Sequence, residues 1–356
     1  MSPDEGARLP AAVPCGGGRD GTPGTPGRAG DGTPGTPGRA GDGTPGTPGR
    51  AGVARDGLRL AVGTLTALPV APPAAVDRPR ARIAMLLAPA VALLPGAASA
   101  LVAAAALRLG LDPFVAAGLA VGTLAMATRG LHLDGLADTA DGLAASYDRA
   151  RALAVMRRGN SGPAGVTTVA RVLAIQVTAL AQALHVAGPV AAVVAVVAGR
   201  MTLPLLCAHG VPAARTEGLG AAMAGSVPRA LAAGVTLLTA MLGAGLTMWF
   251  RLPAAAVNPG PGPVPVRAAT DGGEWYTGFV DIAARPAGAF PWSPPAPGTA
   301  FLFGALAVLA AALVAALLGR RAVRRFGGVT GDVLGACVEA GTAAALVVLA
   351  ALPPAG

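Results

Sequence analysis

Asp134, Asp138 and Asp141 stand at i, i+4 and i+7 in the run Arg129-Gly-Leu-His-Leu-Asp-Gly-Leu-Ala-Asp-Thr-Ala-Asp-Gly-Leu-Ala-Ala-Ser-Tyr-Asp148. At about 100° per residue, a helix would project the three within roughly 60° of one another. Like charges stacked on one stripe repel by a few tenths of a kcal/mol per pair, so the pattern calls for a cation. Oxygen-only ligands that leave room for water or phosphate suit Mg²⁺. The bland alternative is a solvated helix face. Such a face would mix Lys, Glu, Gln and Ser, whereas this one uses only Asp with Gly135 and Gly142 inside it, and both residue types are poor helix formers. The spacing therefore predicts a metal site on Asp134, Asp138 and Asp141. His132, just before the stripe, is a candidate base, phosphate contact or helix cap.

The elements that must position this stripe are apolar. Of 356 residues, 53% are hydrophobic, 13% charged and 3% aromatic, with a mean hydropathy of +0.59. A soluble protein would devote about a quarter of its residues to charge, so a simple soluble globule is excluded. The net charge of +9 comes from Arg alone, with no Lys in the chain. These arginines sit at the ends of apolar runs rather than among stacking aromatics, which excludes a nucleic-acid binder. Cys15, Cys207 and Cys337 have no ligand-like spacing and form no disulfide framework.

Residues 1–56 differ from the rest. Asp20, Asp31 and Asp42 each open the same unit, Asp-Gly-Thr-Pro-Gly-Thr-Pro-Gly-Arg-Ala-Gly. Gly and Pro at that density predict a disordered tail without chemistry, and the broken Gly register disfavours a collagen triple helix. Residues 57–356 read as one all-α, polytopic integral-membrane helix bundle of about seven spans: 83–107, 113–128, 164–187, 189–208, 230–250, 300–318 and 333–352. Arg78, Arg80 and Arg82, then Arg129, Arg149, Arg151, Arg157 and Arg158, then Arg215 and Arg229, then Arg320, Arg321, Arg324 and Arg325 all fall on one side if the N-terminus is cytoplasmic. The 251–299 segment is then an extra-cytoplasmic insertion loop. Every polar segment rich in ligands faces the cytoplasm, so the substrates should be cytoplasmic, polar and anionic.

The segment His132-Leu-Asp-Gly-Leu-Ala-Asp-Thr-Ala-Asp-Gly-Leu143 resembles the signature of the bacterial cobalamin synthase family, the adenosylcobinamide-GDP ribazoletransferases. Further segments resemble that family in the same order: Leu65-Thr-Ala-Leu-Pro-Val70, Val155-Met-Arg157 with Gly162-Pro-Ala-Gly165, and Arg200-Met with Pro204. Ala214-Arg215 with Gly218-Leu-Gly220, and Gly327-Gly-Val-Thr-Gly-Asp-Val-Leu-Gly335 with Glu339, complete the set. The resemblance covers about residues 57 to 352 without the 251–299 insertion. It implies a Mg²⁺-dependent enzyme of the bacterial plasma membrane that joins adenosylcobinamide-GDP to α-ribazole, or its 5′-phosphate, and releases GMP. The partners would be those two substrates and the lipid bilayer, with a homo-oligomer left open. Arg158-Gly-Asn160-Ser161 departs from the family where many relatives carry an acid; Asp148 is an imperfect substitute.

A metal on Asp with Arg nearby is also what a pyrophosphate substrate needs, and Arg157, Arg200 and Arg215 are the candidates to hold its phosphates. Arg200 is the sharpest, since charge inside an apolar span is costly and usually functional, although snorkelling to the headgroups competes. Thr330 and Asp332 stand where a glycine-rich turn enters the last span, and Glu339 lies seven residues beyond Asp332 on the same face. All three are substrate-binding candidates, with a hydrogen-bonded structural role as the alternative for Glu339. Rival readings are a CDP-alcohol phosphotransferase, whose Ala-Arg step is missing here, an aromatic-acceptor prenyltransferase, which wants a second acidic motif, and an ion-coupled transporter, which places its acids near mid-membrane.

Overall fold

The computed structural model describes residues 49–249, 264–269, 275–280 and 297–353. The repeat tail through residue 48 lies outside the described residues, as does most of the 251–299 insertion. Helix α1 (Arg50–Leu65) begins inside the segment assigned to the tail, where Val53, Gly57 and Leu60 share its inward side. It is pinned to α2 (Arg78–Val91) by Arg80 Nε, 3.1 Å from Asp56 Oδ2. Asp77 caps α2 by accepting from Arg80 N. Next come α3 (Leu93–Arg108), α4 (Pro113–Ala127), α5 (Leu131–Ala145), α6 (Arg149–Val155), α7 (Pro163–Val186), α8 (Val190–Leu206), α9 (Leu219–Met223) and α10 (Arg229–Trp249). The chain ends in α11 (Pro297–Phe326) and α12 (Gly331–Ala350). Within the insertion, β1 (Val264–Ala269) pairs antiparallel with β2 (Trp275–Val280), Val264 opposite Val280, so a small hairpin interrupts the otherwise helical chain.

The chain is an integral membrane protein. Among the described residues, five helices are long and apolar enough to cross a bilayer: 78–108 taken together, α7, α10, α11 and α12. A sixth span results if α4 and α5, bent by 89° at their junction, count as one. The expected seven are not reached, for a reason of length. At 1.5 Å per residue, the 15 residues of α4 rise only about 22 Å and the 17 of α8 about 26 Å, against a hydrocarbon core near 30 Å. Helices α10 and α11 carry exposed Leu237, Leu238 and Leu242, and Leu309, Leu313 and Leu317, a surface suited to lipid.

Helices α8 and α12 form the centre and are buried along most of their length. They approach closely through small residues: a Cβ on Gly199 would lie 2.7 Å from the Val338 carbonyl. Without a hydrophobic drive between helices in lipid, such close packing is what holds a bundle together.

The bend after α4 places the acidic stripe. Arg129 (φ 55°) and Gly130 (φ 65°) both adopt the left-handed conformation. For Arg129 this costs about 1–2 kcal/mol, and its guanidinium donates to Gly63 O at 2.7 Å. Helix α5 then turns across the end of the bundle onto the start of α12. The contact requires a missing side chain, since a Cβ on Gly135 would sit 2.8 Å from the Asp332 carbonyl oxygen. Gly135→Ala should therefore lower stability by about 1–3 kcal/mol through overpacking. Gly118→Ala, with open space around it, should be neutral or slightly stabilising. Thermal unfolding of both variants in detergent checks this; equal melting temperatures would show that α5 does not depend on the contact.

Candidate active site

Several arginine-bearing segments meet at one end of the bundle. Arg82 Nε donates to Ser226 O at 3.0 Å, Arg149 to Ala214 O at 3.0 Å, Arg215 to Leu153 O at 3.3 Å and Arg229 to His209 O at 2.8 Å. Arg325 donates to Ser146 O at 2.6 Å and to Leu143 O at 3.3 Å, satisfying carbonyls at the C-terminal end of α5, and lies 4.1 Å over the Tyr147 ring. These arginines thus fasten the loops to one another.

Here the loop after α8 pairs with the turn before α12. Val329 N donates to Pro212 O, and Ala214 N to Val329 O, both at 2.9 Å. That pairing brings Arg215 beside the first turn of α12, with its NH1 3.6 Å from Asp332 Oδ2. Thr330 caps α12 by accepting from Val333 N at 3.2 Å, and its hydroxyl donates to Asp332 Oδ2, also at 3.2 Å. Between these groups opens a cavity of about 250 Å³, lined by Leu131, Asp134, Arg215, Glu217, Thr330 and Asp332 among others. Its floor includes the N-terminus of α12, where unpaired N–H groups favour an anion.

The acidic stripe does not act as one unit. Asp134 is exposed and lines the cavity, Asp138 is half-buried and Asp141 is buried. Asp141 is turned to the start of α7: its Oδ2 accepts from Gly162 N at 2.6 Å and its Oδ1 from Gly165 N at 2.8 Å. Of the three aspartates expected as ligands from the spacing, Asp141 directs both carboxylate oxygens at N–H groups of α7, and the three do not gather closely enough to hold a metal by themselves. Half-buried Asp138 feels the negative charges of Asp134, Asp332 and Asp141 and the positive charge of Arg215. Among the described residues, no three acidic, His or Cys side chains gather closely enough to hold a metal alone. Asp134, Asp138 and Asp332 nevertheless supply hard oxygen donors and an excess of negative charge, a donor set that fits Mg²⁺ when water and phosphate complete the shell.

The remaining candidates separate in space. Arg157 is exposed and is not among the residues lining the cavity, and Asp148 caps α6 by accepting from Arg151 N at 2.8 Å. His132, Arg200 and Glu339 lie in the interior. Arg200 has no exposed surface; its NH2 is 3.4 Å from His132 Nδ1 and its NH1 3.4 Å from Thr342 Oγ1. It does not snorkel to the headgroups. Glu339 accepts from the buried Gln176 Nε2 at 2.8 Å.

With this geometry in place, the comparisons with known proteins can be read. The profile of the cobalamin-5-phosphate synthase family matches residues 57–350. The chain belongs to this family. A protein of a Nocardioides species named adenosylcobinamide-GDP ribazoletransferase is 42% identical over 83% of this chain and 99% of its own length. Proteins of the same name from Frankia casuarinae and Bradyrhizobium diazoefficiens are each 34% identical over 83% of this chain, covering 95% and 93% of their own lengths. No solved structure matches the chain. Membership in the cobalamin-5-phosphate synthase family disfavours the CDP-alcohol phosphotransferase and transporter readings.

Sequence reasoning missed Gln176 and Glu217, and gave no role to the Gly162 and Gly165 N–H groups. Gln176 was legible as a lone amide within an apolar span. The role of the two glycines was not, because the family segment Gly162-Pro-Ala-Gly165 says nothing about which side chain its N–H groups meet. Asp141→Asn sets an amide donor against one of those N–H groups and should cost about 1.5–3 kcal/mol of stability. Asp138→Asn relieves like-charge repulsion and should leave stability unchanged or raised. Melting temperatures in detergent separate the two, and equal effects would remove Asp141 from its structural role.

Proposed function

We propose that the chain is an adenosylcobinamide-GDP ribazoletransferase of the bacterial plasma membrane, working with Mg²⁺ at a site that faces the cytoplasm. A ribose hydroxyl of α-ribazole, or of its 5′-phosphate, bonds to the phosphorus nearest the cobinamide arm. The bond from that phosphorus to the bridging oxygen breaks, the oxygen leaves with GMP, and the hydroxyl proton passes to a carboxylate or to water. The observation that carries this reading is the cavity where Asp134, Asp332 and Arg215 meet at the N-terminus of α12. Family membership supplies the reaction, and the arginine-rich end of the bundle supports the orientation by the excess of positive charge on cytoplasmic loops.

Each group has a task that follows from its place. The Arg215 guanidinium lies at the cavity wall and offers paired N–H donors to phosphate oxygens. The Thr330 cap and the first N–H groups of α12 face negative charge from below. Asp134 and Asp138, joined by Asp332, would hold Mg²⁺, which when bound neutralises charge on the phosphates and eases departure of the leaving oxygen. Asp141 positions α5 from outside the ligand set.

Purified protein in liposomes, given adenosylcobinamide-GDP and α-ribazole, should release GMP only when both substrates and Mg²⁺ are present. Chelation should stop release and added Mg²⁺ restore it. Asp134→Asn and Arg215→Lys should each cut turnover by roughly 10²-fold, the usual scale for losing one charge-stabilising group. Absence of acceptor-dependent GMP release from folded wild type would overturn the assignment.

A further inference from the structure

Four buried polar side chains lie behind the cavity without lining it. Gln176 on α7 is 1% exposed, Glu339 on α12 is 3%, His132 on α5 is 5% and Arg200 on α8 is 0%. Gln176 Nε2 donates to Glu339 Oε2 at 2.8 Å and to the Glu339 carbonyl at 3.3 Å. Arg200 shares this interior with the Glu339 carboxylate, whose charge favours its cation through space without an ion pair between them; Thr342, three residues beyond Glu339 on α12, is the Arg200 contact on that helix. Arg200 in turn reaches His132 Nδ1 and Thr342 Oγ1, while its own Nε has no partner among the described residues. An enclosed cation this sparsely bonded is expensive unless a carboxylate compensates it, and here the carboxylate is itself steered by an amide. The group touches four helices and ends on His132, two residues before Asp134.

The rotation of α5 shows what this achieves. At about 100° per residue, His132 projects roughly opposite to the stripe of Asp134, Asp138 and Asp141. Asp141 is fastened to α7 at one end of the helix, and His132 meets Arg200 at the other end from the opposite face. Two contacts on opposite faces oppose rotation of a helix about its axis, and Asp134 and Asp138 lie between them. We propose that Gln176, Glu339, Arg200 and His132 form a positioning relay that fixes the rotation of α5 and so aims Asp134 into the cavity, with Asp138 on the same face of the helix. His132 acts here as a hydrogen-bond acceptor for Arg200, not as a group that touches substrate. The inference rests on the transferase reading above, and it makes Gln176 a determinant of turnover although it is not among the cavity's lining residues.

The test compares His132→Gln, whose amide oxygen can still accept from Arg200, with His132→Leu, which cannot, and adds Gln176→Leu. In the liposome assay, His132→Leu and Gln176→Leu should lose kcat by about 10²-fold, the scale of a small misplacement remote from the chemistry. KM for either substrate should move by less than about threefold, since ground-state contacts are unchanged. His132→Gln should keep most of the wild-type kcat. Independently of activity, amide hydrogen exchange over residues 131–145 should be faster in the two Leu variants than in wild type and near wild type in His132→Gln. If His132→Gln is as inactive as His132→Leu, His132 does chemistry itself and the relay is wrong. If the Leu variants keep wild-type kcat and exchange, the relay has no function. If a Leu variant is inactive only because it fails to fold, exchange would rise across the whole bundle rather than over 131–145, and that too would overturn a positioning role. An inactive wild type with the expected exchange pattern would instead count against the transferase assignment while leaving the relay in place.

Discussion

Two backbone N–H groups at the start of α7 close on the carboxylate of Asp141, and the rest of the site depends on that arrangement. A charged acceptor with both oxygens engaged by Gly162 and Gly165 is a strong, directional tie. It spends one of three aspartates on architecture, while Asp134 lines the cavity and Asp138 lies half-buried on the same stripe. It also offsets the dipole of a 24-residue helix with a buried negative charge at its N-terminus. The glycines are necessary here: a Cβ on Gly162 would lie 2.7 Å from Asp141 Oδ1.

The same economy recurs around the cavity. Arginines of these segments close backbone carbonyls, so α5, α6, the 209–228 loop and the end of α11 form one fastened layer across the bundle end. Glycines at Gly135 and Gly220 let that layer lie directly on the first turn of α12; a Cβ on Gly220 would stand 2.7 Å from Gly331 N. Small residues thus set the distance between the Asp134 side and the Asp332 side of the cavity. Phosphate-transfer chemistry depends on such distances more than on any single strong contact.

Family membership and chemistry converge from separate directions. The family is shown by a match that spans nearly the whole chain beyond the repeat tail. The cavity is read from geometry alone, and it combines carboxylates, a guanidinium and a helix N-terminus at one place. A transporter site would place its acids at discontinuous helices near mid-membrane. Here the exposed carboxylate, Asp134, stands at the arginine-rich end.

The sequence by itself determined the membrane character, the helical class and the stretches that pack together. Composition and periodicity are local quantities, and they register wherever apolar runs of helical length occur. It also singled out Asp134, Asp138, Arg215, Thr330 and Asp332 as candidates, because residue type and motif order carry that information, and the structure brings Asp134, Arg215, Thr330 and Asp332 to one cavity. Only the tertiary structure decided the rest. The three aspartates share a stripe, yet burial grades from exposed to enclosed along it, and that gradient depends on where α7 and α12 lie. Arg157 and Arg200 look alike as charges near apolar runs, but one is exposed outside the cavity wall and the other has no exposed surface inside the bundle. The span count moved as well: α8 has only 17 residues, and the break after α4 depends on a left-handed turn at Arg129 that no periodicity reveals. Spacing fixes which residues share a face; packing alone fixes what that face meets.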